Sequence, residues 1–475
     1  MTDPGTAPSN SQKSNSQESL TDAPRDTYTQ PEGAIENPPT NFVGALKYLG
    51  PSVIISATIV GSGEIILTAS LGAAVGYSML WWVLFSCWSK SILQAELARY
   101  VVLSGDTYLR ALNRIPGKIP GPRGKFSWPI LLGLMAWVPG LTGLGGLIGG
   151  AGQAVLLFFP DVNPIMMVAV LALLIAGLLG SGSYQRLEKI MLVFVVGFTG
   201  LTLVSAGLMQ TTEFATRWED LVSGFSFEFS TEVAVLALAA YGYTGVNSGE
   251  ISSYTYWCVE KGYPARIGPY EDSAAWHQRA MGWLKVLRTD VWVTLAILTL
   301  ATIPFYLLGA GVLHGTGQTP SGQQTIIALS NMFTQTLGQW SLYLFAVGAF
   351  FIFFSSSLAA VAAGGRYIPD YLMELGFISR QRVDIRYGII KWYGMVVPFI
   401  GFVLYAGFQN PVLMVTIAAS VAAIMLPVQS GVTLYLQRTR LPASVQPGWL
   451  ARSLLQLTFV FQLFLALAVI YFVVL

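Results

Sequence analysis

Apolar stretches of about 20 residues recur along the chain, and this repetition decides its fold class. A helix needs about 20 apolar residues to cross a bilayer, and eleven such stretches are separated here by Pro/Gly turns and charged loops. Hydrophobic residues make up 53% of the sequence and charged residues 11%, against roughly 25% charged in soluble domains. The sequence therefore predicts an all-α polytopic membrane protein in a lipid bilayer. The predicted spans lie near 47–74, 77–102, 128–158, 164–181, 187–209, 230–252, 288–313, 339–363, 386–407, 411–436 and 453–474.

The N-terminal 40 residues differ from the rest. Residues 1–40 are rich in Ser, Thr, Pro, Gln and Asn and contain no apolar run, so they are predicted to be a disordered cytoplasmic tail and not a signal peptide. Residues 41–475 are predicted to form a single transmembrane domain. Two cysteines make no disulfide or metal-thiolate framework, and the net charge of +2 gives no indication of nucleic-acid binding.

The basic residues predict the orientation. If the N-terminus is cytoplasmic, the outer loops hold only Arg217, as the positive-inside rule requires. We therefore expect a multi-pass protein of the plasma (inner) membrane, with a cytoplasmic N-terminus and an external C-terminus. The inner loops hold Arg110, Arg114, Lys118, Arg123, Lys125, Arg186, Lys189, Lys261, Arg266, Arg380, Arg382, Arg438 and Arg440.

The first span contains an interruption. Gly61-Ser62-Gly63 places three poor helix formers in a row in mid-span, and Glu64 follows them. A break at membrane depth frees backbone groups, which are tolerated there where they line a cavity or are buried in protein. An ionisable residue at that depth indicates a functional site, although glycines could also serve close helix packing.

The sixth span is interrupted at an equivalent place. Its apolar run ends in Tyr241-Gly242-Tyr243-Thr244-Gly245, followed by Asn247. Interrupted spans at corresponding positions of two halves are typical of secondary transporters with inverted repeats, which bind solute between the breaks. The sequence thus predicts two inverted five-helix repeats, about 45–210 and 228–437, plus an extra helix at about 453–474. All the residues of the two interruptions are candidate substrate-binding residues.

Several stretches resemble the natural resistance-associated macrophage protein (Nramp) family of divalent-metal transporters, within the amino acid–polyamine–cation superfamily. The likeness covers about 45–440 and depends on the order and spacing of the motifs. It implies a LeuT-like fold with metal held between broken helices 1 and 6. The matching stretches are Gly50-Pro51, Gly76-Tyr77-Ser-Met-Leu-Trp-Trp, Ile92-Leu93-Gln94-Ala-Glu-Leu97-Ala98-Arg99, Tyr184-Gln-Arg186-Leu187-Glu188, Asp290, Ser355-Ser356-Ser357 and Leu426-Pro427.

The chain departs from this family at its functional positions. The family's Asp-Pro-Gly-Asn becomes Gly61-Ser62-Gly63-Glu64, and its Met-Pro-His aligns with Tyr243-Thr244-Gly245. The acids that the family uses for proton transfer fall on Gly143 and Gly146, and its helix-ten Gln on Met425. We therefore expect no proton coupling by the family's route.

The substrate remains open between two classes. Family resemblance favours a divalent metal cation, for which Glu64, Thr244 and Asn247 could supply oxygen ligands. The alternative is a small organic solute, such as an amino acid or carboxylate. The amides of Gly61–Gly63 could bind its carboxylate, and Tyr241 or Tyr243 could cover its apolar or amine-bearing part. A non-transporting solute receptor would fit the same residues. No paired acids, histidine cluster or Ser/Lys pair indicates an enzyme.

Other polar residues admit two interpretations each. Lys90 could neutralise Glu64 or extend towards the cytoplasmic surface. Ser355, Ser356 and Ser357 could ligate a coupling ion or pack against helix one. Glu250 lies too far beyond Thr244 to be expected to share a ligand, and 274–285 is predicted to be an amphipathic helix on the inner surface. No cofactor is expected beyond a coupling ion.

Overall fold

The computed structural model describes residue 28 and residues 35–49, 63–181 and 184–474. The described chain is almost entirely helical, as predicted, with one antiparallel hairpin in the loop after α4, formed by β1 (Lys118–Gly121) and β2 (Gly124–Ser127). The helices are α1 (Phe42–Leu46), α2 (Gly63–Val75), α3 (Leu80–Ser104), α4 (Tyr108–Asn113), α5 (Trp128–Leu156), α6 (Pro164–Ser181), α7 (Tyr184–Met209), α8 (Trp218–Ser223), α9 (Ala234–Tyr243), α10 (Ser248–Glu260), α11 (Tyr263–Ile267), α12 (Ala274–Leu308), α13 (Thr325–Leu337), α14 (Ser341–Glu374), α15 (Val383–Phe408), α16 (Pro411–Arg440) and α17 (Trp449–Val469).

A helix lies at each predicted span, the first of which is described only from Gly63 onwards. Six of the described helices are long and apolar enough to cross a membrane by composition alone, and α2, α6 and α7 contain shorter apolar segments. The long helix α3 is more polar because it carries Lys90, Glu96 and Arg99. All three side chains are buried within the protein, so the polarity of α3 faces its neighbours and not the lipid.

Glycines bring α5 and α16 into close contact. A Cβ atom on Gly146 would lie 2.8 Å from Val415 Cγ2 and 3.1 Å from the carbonyl oxygen of Pro411. No larger side chain fits there without separating the two helices. The position at which the resembling family carries an acid is therefore a packing contact in this chain.

Residues 274–285 are helical, as predicted, but they do not form a separate surface helix. Residues 274–285 form the first turns of α12, which continues without interruption to Leu308. Both Trp276 and Trp283 are buried, and the indole N–H of Trp283 donates to the carbonyl oxygen of Glu36 (2.9 Å). The end of the predicted tail thus packs on the first turns of α12.

Connecting segments meet at two opposite ends, as an alternating topology requires. At one end the Asn113 amide donates to Glu374 (2.6 Å), which joins the loop before α5 to the end of α14. At the other end the backbone N–H of Trp81 donates to the Gly224 carbonyl (2.9 Å). Basic residues of two of the predicted inner loops lie at the first of these ends, where Arg380 donates to Glu374 (2.6 Å) and Arg123 to the Phe377 carbonyl (3.5 Å). This end is called here the basic end.

Candidate functional site

The sixth span is broken, as its glycines and tyrosines predicted. Helix α9 ends at Tyr243, α10 begins at Ser248, and Thr244 has an extended backbone. Gly245 has φ +75°, and a Cβ atom there would lie 3.1 Å from Cys87 Cα on α3. A left-handed conformation and a close neighbour together require glycine at this point.

Glu64 reaches across to this break. Its side chain is fully buried, and Oε1 accepts hydrogen bonds from the Gly245 N–H (3.0 Å) and the Thr302 hydroxyl (3.3 Å). In an unbroken helix the Gly245 N–H would donate to the Tyr241 carbonyl. The carboxylate of Glu64 therefore replaces a backbone acceptor.

Lys90 binds the opposite side of the same break. Its side chain is fully buried and its ammonium donates to the carbonyl oxygens of Tyr241 and Thr244. The Ser86 hydroxyl donates to the same two carbonyls, at 3.1 and 3.0 Å. Lys90 therefore does not extend towards the membrane surface, and its direct partners are backbone carbonyls. The charges of Glu64 and Glu250 attract it from further away.

Two hydroxyls connect α2, which is described from Gly63 onwards, with the break of the sixth span. Thr68 Oγ1 lies 2.8 Å from Thr244 Oγ1 and donates to the Gly63 carbonyl (3.0 Å). The Tyr241 phenol points elsewhere, with its oxygen 2.8 Å from Ser89 Oγ on α3. Thr244 and Tyr241 thus serve contacts between helices.

A cavity of about 270 Å³ lies between the start of α2 at Gly63 and the break of the sixth span. Of the sequence-predicted site residues, it is lined by Gly63, Tyr243, Asn247 and Ser356, and Glu250 joins them. Glu64, Tyr241, Gly242, Thr244 and Gly245 are not among the described lining residues, and Gly61 and Ser62 lie outside the residues that the structure describes. Aromatic side chains supply much of the remaining wall: Tyr108, Trp137, Trp257, Tyr367, Tyr371 and Tyr393.

Asn247 and Glu250 form a reciprocal cap on α10. The Glu250 N–H donates to Asn247 Oδ1 (3.0 Å), and the Asn247 N–H donates to Glu250 Oε2 (2.8 Å). This capping box fixes the carboxylate at the N-terminus of α10, on the cavity wall. Sequence reasoning set Glu250 aside by counting residues along a helix. The Asn-x-x-Glu spacing was the signal that could have placed it.

The three serines of α14 do not form a cluster of outward-facing hydroxyls. Ser355 donates to the Ile352 carbonyl (2.9 Å) and Ser357 to the Phe353 carbonyl (2.7 Å) on their own helix, whereas Ser356 lines the cavity. Within the described ranges, no group of three or more His, Cys, Asp or Glu side chains is placed to hold a metal ion.

Gly143, the other residue aligned with a family acid, also lines the cavity. A Cβ atom on it would lie 2.9 Å from the Tyr243 phenol oxygen and 2.8 Å from Ala418 Cβ. The phenol of Tyr243 thus occupies the space that a side chain on α5 would need. Met425 lines the same cavity from α16.

Two solved structures share this architecture. The manganese transporter of Eremococcus coleocola, in complex with an aromatic bis-isothiourea substituted compound, superposes with a TM-score of 0.65 at 13% identity, covering 92% of this chain and 88% of that one. Mhp1, a nucleobase-cation-symport-1 family transporter, gives a TM-score of 0.54 at 14% identity, covering 88% and 90%. At these identities the likeness shows a shared fold.

Sequence comparison extends over most of the chain. The divalent metal cation transporter MntH of Mycobacterium leprae is 25% identical over 345 residues, which is 70% of this chain and 71% of that protein. The uncharacterized protein PM0681 of Pasteurella multocida is 25% identical over 324 residues, 66% and 67% of the two chains. A family profile described as natural resistance-associated macrophage protein-like matches residues 52–472. This integral, multi-pass membrane protein therefore belongs to the Nramp-like family.

Proposed function

We propose that the protein is a secondary transporter, not an enzyme, and that it moves a small cation, a divalent metal ion, across the membrane by alternating access. Family membership and the name of the Mycobacterium leprae relative support the substrate class. The break of the sixth span, which lies on the cavity, supports the transport mechanism, because solute sites of secondary transporters form at interrupted helices.

The carboxylate of Glu250 on the cavity wall carries this proposal. Of the described residues that line the cavity, Glu250 is the charged one, and the Asn247 amide lies beside it. Carboxylate and amide oxygens suit hard divalent cations such as Mg²⁺, Mn²⁺ and Ca²⁺. An acidic wall with no basic side chain among its described residues attracts cations and repels anions.

The shape of the cavity supports an inward-facing state. It runs from Gly63 at the start of α2 and Tyr243 at the end of α9 towards Tyr108 and Tyr371, which lie near the basic end. With the predicted orientation this is the cytoplasmic end. Transport would then require this end to close and the opposite end to open around the same cavity.

Calorimetry and proteoliposome uptake with Mg²⁺, Mn²⁺ and Ca²⁺ test the proposal. Wild-type protein should bind at least one of these ions, and Glu250→Gln should weaken the binding more than a hundredfold. A charge–dication interaction of several kcal/mol at short range and an effective dielectric constant of about 20 accounts for such a loss. Glu232→Gln, at an exposed carboxylate before α9, is the matched control and should bind like wild type. No binding heat with any divalent ion would refute the metal assignment.

A small organic solute with an amine is the second candidate, and the aromatic wall favours it. Aromatic rings attract ammonium groups through cation–π interactions, whereas a bare metal ion gains little from them. Lys90 also occupies the carbonyls of Tyr241 and Thr244 at the break of the sixth span, which a metal would otherwise use. Amines and amino acids that raise the melting temperature, while divalent ions do not, would establish this class. Counterflow of the same solute in proteoliposomes would separate a transporter from a receptor.

A further inference from the structure

The ammonium of Lys90 lies in an oxygen-rich pocket at the end of a half-helix. The carbonyl oxygens of Tyr241 and Thr244 accept from it, and the Ser86 hydroxyl contacts both carbonyls. The Tyr241 ring centroid is 5.2 Å from Nζ, within cation–π range. These groups belong to α3, to the last turn of α9 and to Thr244, which directly follows α9, and Lys90 itself is fully buried.

Such an arrangement of oxygens is suited to a monovalent cation. The last carbonyls of α9 have no intrahelical partner, and they carry the partial negative charge of the helix dipole. In secondary transporters, unwound carbonyls and half-helix C-termini coordinate Na⁺ or H⁺. Here the two carbonyls are already bound to a side chain whose –NH₃⁺ group carries one positive charge and three N–H donors.

We propose that Lys90 is a covalently tethered cation that takes the place of a bound coupling ion at the C-terminal end of α9. The charge it supplies stays with the protein through every transport cycle. The break of the sixth span is therefore stabilised without a dissolved monovalent cation, and solute movement does not depend on Na⁺ or K⁺. The assignment of Lys90 as a tethered cation stands on the contacts alone. Only the independence of solute movement from Na⁺ and K⁺ rests on the proposed transport function.

Removing the tethered charge should create an empty cation site. In Lys90→Ala the carbonyls of Tyr241 and Thr244 would keep the Ser86 hydroxyl but lose their cationic partner, and Glu64 would lose a nearby opposite charge. Buried polar and charged groups that lose a hydrogen-bond or charge partner destabilise a fold. A small cation from solution could then occupy the space vacated by the lysine side chain.

Thermal unfolding of the full-length protein in detergent tests this with the chlorides of Na⁺, K⁺, ammonium, methylammonium and choline. We expect a lower melting temperature for Lys90→Ala and its saturable recovery with ammonium, methylammonium or K⁺, but not with choline, which is too large. Lys90→Met, whose thioether fills the space without charge, should lose stability and show no recovery. Wild type and Lys285→Ala, which changes an exposed lysine on α12, should not respond selectively to any of these ions.

Either of two results would overturn the proposal. One is a Lys90→Ala protein that unfolds at the same temperature in all five salts. The other, which remains decisive if Lys90→Ala does not fold, is a wild-type protein that Na⁺ or K⁺ stabilises saturably. These measurements need no substrate, so they remain valid even if divalent ions prove not to bind.

Discussion

Glu64 and Lys90 bind the two groups of one missing backbone hydrogen bond. Glu64 Oε1 accepts from the Gly245 N–H at 3.0 Å, and the Lys90 ammonium donates to the Tyr241 carbonyl. In a continuous helix that N–H and that carbonyl would bond to each other. An anion thus serves the donor and a cation serves the acceptor, so the break leaves neither group unsatisfied in the protein interior.

These hydrogen bonds explain how two charged side chains can be buried at membrane depth. A buried charge is costly unless hydrogen bonds compensate it. Glu64 has the Gly245 N–H and the Thr302 hydroxyl, and Lys90 has two carbonyls. Both side chains are therefore positioning groups that define the conformation of the break, while Glu250 presents its carboxylate to the cavity.

Gly245→Ala should destabilise the protein. Its φ of +75° disfavours any residue with a Cβ by about 1–2 kcal/mol, and the new methyl group would press on Cys87, 3.1 Å away. The matched control is Gly177→Ala on α6, where a Cβ atom meets nothing within 4 Å. Melting temperatures in detergent should fall clearly for Gly245→Ala and stay unchanged or rise for Gly177→Ala. Equal melting temperatures would contradict the left-handed turn.

Gly63→Ala should slow transport. A Cβ atom on Gly63 would lie 2.7 Å from the Tyr243 carbonyl oxygen, so the added methyl group must push α2 away from α9. The initial rate of solute uptake in proteoliposomes should drop at least tenfold. Gly200→Ala on α7, which has open space around it, serves as the control. A normal rate for Gly63→Ala would mean that α2 and α9 need not approach so closely.

The helices and the break of span six could be predicted from the sequence because both depend on local properties. Twenty-residue apolar runs need no tertiary information, and Tyr241-Gly242-Tyr243-Thr244-Gly245 combines poor helix formers at the middle of a span. The break begins at Thr244, after the first three of these residues. Local helix propensity thus predicts where the break lies. The left-handed backbone of Gly245 then sets the direction in which the chain leaves α9.

The partners of the charged side chains could not be predicted in the same way. Thr302 contacts Glu64 across 238 positions in the sequence, and that contact depends on the rotation and depth of α12 relative to α2. Whether Lys90 faced a carboxylate, a carbonyl or the membrane surface depended on the rotation of α3. Hydrophobic periodicity carries little of this information in a bundle whose helices are apolar on most sides.

Cysteine labelling should verify the orientation. Ser223, the last residue of α8, and Lys125, in β2, are exposed and lie at opposite ends of the bundle, and both native cysteines are buried. Ser223→Cys should react with a membrane-impermeant maleimide on intact cells. Lys125→Cys should react only after permeabilisation. The reverse pattern would place the N-terminus outside and would overturn the positive-inside assignment.

Solute uptake should not acidify the proteoliposome interior by the route of the resembling family. The positions aligned with its acids are Gly143, which faces the Tyr243 phenol, and Gly146, which packs against α16. Neither can carry a proton. An enclosed pH-sensitive dye should report no substrate-driven acidification. Acidification at about one proton per solute would show that another group on the cavity, with Glu250 the first to test, has taken over proton transfer.

Glu64→Gln should change the affinity for divalent ions less than tenfold. Gln retains the side-chain oxygen that accepts from Gly245 and Thr302, and Glu64 is not among the described residues that line the cavity. Glu64→Ala, which removes this acceptor, should lower the melting temperature because the buried Gly245 N–H loses its partner. Calorimetry with Mg²⁺, Mn²⁺ and Ca²⁺ on Glu64→Gln and Glu250→Gln compares the two carboxylates directly. A hundredfold loss for Glu64→Gln with normal binding by Glu250→Gln would instead make Glu64 the metal ligand, and would require the carboxylate to leave Gly245 and enter the cavity during transport.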